Sequence, residues 1–492
     1  MLSTRRAASP RTARSPDCTS LPARHGTAKR ASPRPRVVRF GENGATTRAC
    51  VSDLSRADTH RTATAISPLM RPTPSLATLL HRLRAWRPGR YARASSALLG
   101  WLLARAAAQA LLVVLLARTL GAAAYGEFVA AIALAGFFTP LAGLGLQGVI
   151  LRDGARTPEA VGNLLGAALR LYWRALLVSW AIGLTVALLA LPRAIPAFAL
   201  ALLFGAEIAA ASLVEMLARV EQARHHSAGF GATMTGLALA RLAAFALWPL
   251  IGKHGLTAWV EAYAAVSMLY AVTIAWFAYR RLRPARTTGL DWAMAAQGKP
   301  FMFGAMALRV QGEFNKPVLA AIGPALTANM SLAQRAVELA SLPLVALQEA
   351  LWSRIYASTE PHRRLRRTGG LLLALALLCG GTLSLAAPLL PWLLGPGYAS
   401  TARTLRLLAW LPALQLLRNL GNAHLVATGH AQRLTGVYVV GALAGMLTTL
   451  VLVGRYGLVG AVAAAYVTEL VNILAQFVLR QAVLEHADRP LS

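Results

Sequence analysis

The sequence is short of acid, of charge in general and of cysteine. Nineteen Asp and Glu stand against 50 Lys and Arg in 492 residues, and charged residues make up only 14% of the chain. A soluble protein of this size keeps about a quarter of its residues charged. Of three cysteines, Cys18 and Cys50 fall in a polar N-terminal stretch and Cys379 in an apolar run, which excludes a disulfide framework and a cysteine metal cluster. The chain has no Asp-x-Asp, no phosphate-binding P-loop and no HExxH, so no catalytic residue, metal or cofactor is expected. Acid is scarce everywhere, but base is not evenly spread. Residues 1–69 carry a net charge of +9, residues 70–94 bring it to +15, and most of the rest of the +31 sits in short segments between apolar runs. No basic stripe with interleaved aromatics tracks a nucleic-acid backbone, so nucleic acid is excluded as a partner.

What is present is hydrocarbon. The chain is 56% apolar with a mean hydropathy of +0.51, the composition of an all-α polytopic membrane protein. Residues 1–69 are rich in Arg, Ser, Thr, Pro and Ala without apolar periodicity, a composition that stays disordered. They lack the apolar core of a signal peptide and share their acid-poor, Arg-rich character with transit peptides. The reading preferred here is a start placed too far upstream, because Met70 opens a coherent Arg-rich lead in which 76–93 forms a basic amphipathic helix on the membrane surface.

From Ser95 twelve spans of about twenty residues follow: 95–117, 125–150, 165–191, 194–217, 227–250, 255–279, 300–322, 325–351, 369–394, 402–427, 432–453 and 457–480. The connections 151–160, 218–228, 280–299, 352–368 and 428–434 hold 15 Lys and Arg; the alternate ones hold 5, and none of those exceeds ten residues. The first set is therefore expected in the cytoplasm, with both termini. An internal repeat at a constant offset of 201–202 residues aligns Leu120-Gly121-Ala122-Ala123 with Ile322-Gly323-Pro324-Ala325, Leu146-Gln147 with Leu347-Gln348, and Arg152 with Arg354. Six spans separate the copies, which implies two six-helix lobes, 95–285 and 295–485, of like topology about a central cavity. Residues 1–94 precede them as a tail.

The chain is organised around residues 305–340, which lie inside an apolar region long enough to cross a bilayer twice yet hold Arg309, Glu313, Lys316, Arg335 and Glu338. A charge in hydrocarbon costs from ~2.5 to well over ~10 kcal/mol, so five in adjacent spans cannot all face lipid. Arg309, Glu313 and Lys316 follow i, i+4, i+7 spacing and share a helix face, and Pro317 removes a backbone donor just past them. A polar seam lining the cavity results, although an intrahelical Arg309–Glu313 pair is an equally local use of those charges. Arg105 and Gln109 stand one turn apart in the first span, where Arg105 either faces the cavity or snorkels to the interface. Gln415, Arg418, Asn419 and Asn422 form a stripe suited to sugar hydroxyls or to interhelical hydrogen bonds; Glu469, Asn472 and Gln476 read as packing. Glu215 is expected to pair with Arg219, and Arg241 with Glu261. Gly441 and Gly445 make a GxxxG face, and Trp248, Trp259, Trp352 and Trp392 are expected in an interfacial belt.

The run LLARTLGAAAYGEFVAAIALAGFFTPLAGLGLQGVILRDGA (115–155) resembles the first two spans of oligosaccharide flippases of the multidrug/oligosaccharidyl-lipid/polysaccharide exporter superfamily. The segments 389–410, 424–432 and GRYGLVGAVAAAYVTELVN (454–472) follow in the same order and spacing. The resemblance implies an inner-membrane transporter, not an enzyme. Its cargo would be a polyprenyl-diphosphate-linked oligosaccharide for cell-surface polysaccharide, with glycan polymerase or assembly proteins as partners. For such a cargo the charged seam itself sets the expectation: Arg105, Arg309, Lys316, Arg335 and Arg418 bind the diphosphate, and Glu313 and Glu338 compensate their charge and couple transport to an ion. A lipid II flippase, though without the two extra spans usual there, and a cation-coupled multidrug antiporter are the alternatives within that superfamily. The orientation is checked by labelling single cysteines: positions in 280–299 and 352–368 should resist an impermeant reagent added outside the cell, and their modification from outside would reverse it.

Overall fold

The computed structural model describes residues 90–251, 255–284, 291–356, 361–427 and 433–487. The tail, its surface helix and the side chains of Trp352 and Arg354 lie outside what is described. The described residues contain no strand. The first lobe consists of α1 (Arg90–Gly143), α2 (Leu146–Arg156), α3 (Val161–Ala190), α4 (Ala197–Ala223), α5 (Ser227–Leu247) and α6 (Leu256–Leu282). The second runs through α7 (Trp292–Glu313), α8 (Asn315–Ile322), α9 (Pro324–Tyr356), α10 (Pro361–Ala386), α11 (Leu389–Leu394), α12 (Ala399–Leu408), α13 (Leu411–Ala427) and α14 (Leu434–Ala487).

Among the described residues eight helices are long and apolar enough to cross a membrane, and two of these hold two crossings each. α1 is broken at Gly121 (φ 75°, ψ 171°) and α14 at Gly457 (φ 55°, ψ −124°), conformations that a side chain disfavours and glycine accepts. The other two crossings are α7–α8 and α12–α13; their breaks leave α8, α12 and α13 each too short to cross alone, and α7 carries Lys299, Arg309 and Glu313. Both are interrupted, and the cause is the same. Pro317 has no N–H to give the carbonyl of Glu313, where α7 ends, and Pro412 none for Leu408, where α12 ends. Twelve crossings in two lobes are the outcome.

Two spans end well short of the sequence reading: the ninth, read as 369–394, stops at Ala386 ahead of the separate α11, and the change in the second bears on the lobe contact. The second span stops at Gly143 rather than running to 150, and 146–156 is a separate helix. Leu144 (φ 48°) and Gly145 (φ 65°) turn the chain there, because Gly145 lies against the second lobe. A Cβ at Gly145 would stand 2.1 Å from the carbonyl oxygen of Gly298.

Packing follows the inside-out logic of a bilayer. α4 is the axis of the first lobe, with 17 of its 27 residues buried, and the second lobe has its own apolar clusters around Leu319, Met330, Leu405 and Val453. Leu189, Leu385 and Trp392 are left 83–84% exposed, as lipid contact requires. The aromatic belt is only partly present: Trp248 and Trp259 are buried among Phe128, Phe245 and Tyr263, since ring stacking between α1, α5 and α6 offers more contact than the interface does. The GxxxG face packs as read, Gly441 against Asn472 and Gly445 against Thr468.

The lobes touch at both ends of the bundle. At the end holding Gly121, Gly126 approaches the backbone of Pro324 so closely that a Cβ would lie 1.8 Å from its oxygen, and the Tyr398 hydroxyl donates to the carbonyl of Ala117 at 2.6 Å. At the end holding Leu144, Gly145 meets Gly298, and Arg152 donates to Gln297 as well as to both carboxylate oxygens of Asp153. That donation holds the Asp153 carboxyl below its ordinary range. Backbone-to-backbone contact at glycine makes each closure intolerant of any side chain. Gly298→Leu should therefore hold the Leu144 end open. With Cys18, Cys50 and Cys379 replaced by serine, a cysteine at the buried position Ser331 should then react with maleimide several-fold faster than in the Gly298 background, and an unchanged rate would refute the closure.

Candidate functional site: a charged cavity between the lobes

Between the two closures lies a cavity of about 320 Å³. The first lobe brings Arg105 and Gln109 from α1, Glu207 and Glu215 from α4, Arg241 from α5 and Tyr263 from α6. The second brings Arg309 and Glu313 from α7, Lys316 from α8, and Ser331 and Arg335 from α9. The break at Phe314 does local work here: it lets α7 and α8 present Glu313 and Lys316 to each other, and the two are ion-paired with Lys316 only 4% exposed. Thr327 donates to the carbonyl of Lys316 at 3.0 Å, which ties the broken span to α9.

The charges do not cancel. Arg335 is paired with Glu338 at 2.7 Å, both more than 40% exposed, with Arg335 on the cavity wall and Glu338 outside its lining. Glu215 lies 3.8 Å from Arg219, as the sequence led one to expect, and also faces the cavity. Arg105 and Arg309 make no ion pair or hydrogen bond with a described residue. Arg309 does not take Glu313; its guanidinium instead reaches across to α1, where Nη1 would be 3.8 Å from a Cβ at Gly136. The lining holds five cations and three carboxylates, an excess of two positive charges. In a low-dielectric layer such an excess attracts an anion far more strongly than it would in water.

Sequence reasoning missed the clamp on the first-lobe side. Arg241 pairs with Glu207 at 2.6 Å, not with Glu261; it also donates to Ser267 at 3.0 Å, and lies over the Tyr263 ring at 4.3 Å. Tyr263 donates to the same carboxylate oxygen of Glu207 at 2.7 Å. The available signal was that Arg241 is the one charge in its span and that Glu207 lies deep in the span before it, away from the Glu215–Arg219 pair at that helix's end. Arg418 is placed elsewhere. It meets Glu469 at 3.3 Å inside the second lobe, within a network in which Asn472 donates to Gln311, Gln476 to Asn422 and Asn419 to Gln348. The stripe on the tenth span is thus used between helices, and Arg418 is not on the cavity wall.

This fold is that of a two-lobe membrane transporter. Similar solved structures include an inward-facing multidrug resistance MATE family transporter of the MOP superfamily (16% identity, TM-score 0.60, covering 78% of this chain and 96% of that one). The lipid II flippase MurJ in an inward closed conformation is another (12%, 0.64, 78% and 87%), as is a point mutant of the Vibrio cholerae MATE transporter VcmN (16%, 0.56, 80% and 96%). Residues 93–218 match the family model for polysaccharide biosynthesis proteins, over the part of the chain whose 115–155 run resembles the oligosaccharide flippases. No curated protein sequence matches the chain.

The Glu207–Arg241 pair is buried, so breaking it should cost more than replacing it. Glu207→Ala leaves an uncompensated guanidinium and should lower stability in mixed micelles by about 3–5 kcal/mol, whereas Glu207→Leu with Arg241→Met should lose much less. Equal losses in the two would show that the pair is not coupled.

Proposed function

We propose that the protein moves a polyprenyl-diphosphate-linked oligosaccharide across the cytoplasmic membrane for cell-surface polysaccharide synthesis. The observation that carries this reading is the pair of unpartnered arginines, Arg105 and Arg309, facing one another from the two lobes of a cavity with surplus positive charge. A diphosphate is the part of such a cargo that cannot cross hydrocarbon alone, and an arginine fork binds it with two hydrogen bonds while staying charged. Lys316 and Arg335 assist. Glu313 and Glu338 hold these two cations while the cavity is empty and release them as the cargo's oxygens take their place. A carboxylate freed in this way can accept a proton, which would let a proton gradient bias the reset of the empty carrier. Arg418, off the cavity wall, is assigned to the internal order of the second lobe.

The alternate-loop charge supports an orientation with both termini in the cytoplasm, which puts the Leu144 end inside. The tail before Met70 is proposed to be dispensable. The match to polysaccharide biosynthesis proteins favours an oligosaccharide cargo over the lipid II that MurJ is named for, a choice the cavity's charge does not make because both are carried on a polyprenyl diphosphate. A cationic drug is disfavoured by the cavity's own charge. Glycan polymerase or assembly proteins remain the proposed partners on the far side.

Complementation of a strain lacking its oligosaccharide flippase tests the reading. Arg105→Ala or Arg309→Ala should abolish surface polysaccharide with normal membrane insertion, and Arg309→Lys should restore only part, because a point charge loses the bidentate fork. Full complementation by both alanine variants would overturn it, and rescue of a lipid II flippase mutant instead would transfer it to that cargo.

A further inference from the structure

A second hollow lies on the flank of the first lobe, away from the central cavity, between α3, α4 and α6. It encloses about 470 Å³, within the ~300–1,000 Å³ usual for ligand pockets. Its walls are Leu176 and Trp180 of α3, Gly205 of α4 and Ala265 and Met268 of α6, and its one charged group is Glu261. Gly205 leaves the face of Trp180 open to the groove: a Cβ there would come into van der Waals contact with the indole nitrogen at 3.4 Å. That indole N–H is satisfied, donating to the carbonyl of Ala201 at 3.0 Å. Glu261, by contrast, makes no ion pair or hydrogen bond with a described residue, because Arg241, the cation its sequence context offers, is held by Glu207.

The geometry sets a polarity along the groove. Glu261 is five residues into α6, roughly 7–8 Å below the Gly121 end, and Met268 is twelve in, roughly 18 Å below it. The carboxylate therefore sits near headgroup level and the apolar floor runs toward the midplane. Leu177 and Leu269 flank the opening, 66% and 67% exposed, so it faces the acyl chains of the bilayer. Exposed Arg193, in the connection between α3 and α4 at the same end, supplies a cation at the level of a phosphate.

We propose that this groove is a binding site for a phospholipid with an amine headgroup. The ammonium donates to the Glu261 carboxylate and one acyl chain lies along Trp180, Gly205 and Met268. The site is independent of the cargo cavity and would order lipid against the lobe that carries Arg105 and the Glu207–Arg241 pair. An uncompensated carboxylate in that layer is costly, and a lipid ammonium is the cation always at hand there.

Native mass spectrometry of the full-length purified protein, given equimolar phosphatidylethanolamine and phosphatidylglycerol, reads this directly. The wild type should retain phosphatidylethanolamine about tenfold better, the ratio expected for one charge-assisted hydrogen bond. Glu261→Gln should remove the preference, and Ala265→Phe should fill the groove and displace both lipids while unfolding at the wild-type temperature. Equal retention of the two lipids by the wild type, which needs no variant, would overturn the proposal. So would an unchanged preference in Glu261→Gln, or retention of dodecylamine with no preference between the phospholipids.

Discussion

A charge placed in the hydrocarbon layer must be answered by another charge, by water or by a ligand, and the architecture of this protein turns on which answer each charge receives. Glu207 and Arg241 answer each other and are locked by Tyr263 and Ser267. Lys316 and Glu313 answer each other across a helix break, and Arg418 and Glu469 do so within the second lobe. Arg105 and Arg309 alone in the central cavity receive no answer from a described residue. Their placement on different lobes means that an anion between them bridges the two halves of the molecule.

That bridging gives the lobes a reason to respond to cargo. Both ends of the cavity are shut by glycine contacts that are strictly steric, Gly126 on Pro324 at one end and Gly145 on Gly298 at the other. Such contacts are either made or not made, so they suit a carrier that must never be open at both ends at once. A dianion bound by Arg105 and Arg309 interacts with the relative position of the lobes, and a ligand shifts a conformational equilibrium only through such a difference between states. The helix breaks at Glu313 and Leu408 give the second lobe two places where a span can bend without disturbing its neighbours.

Much of this was legible in the residues. Apolar length gave the twelve crossings, and the Leu-Gly-Ala-Ala and Ile-Gly-Pro-Ala pair marks the two places, Gly121 and Gly323, where the chain reverses in each half. The i, i+4, i+7 spacing of Arg309, Glu313 and Lys316 marked the seam, and Pro317 marked its bend. What could not be read was partner choice. Arg241 of α5 has Glu207 one span before it and Glu261 one span after it, and only the packing of α5 against α4 decides for Glu207. Arg418 looked like a cavity residue because its stripe is polar, yet Glu469, one span pair away, takes it. The buried tryptophans failed for the same reason: an interfacial position along a helix does not say which way the ring faces.

The surplus cations of the cavity are proposed to bind a diphosphate. Titrating the purified protein with undecaprenyl diphosphate and with undecaprenyl monophosphate measures this without any assay of transport. The diphosphate should bind more tightly, added salt should weaken it, and the advantage should vanish when Arg105 and Arg309 are both alanine. Equal affinity for the two lipids in the wild type, or a diphosphate preference that survives loss of both arginines, would contradict it.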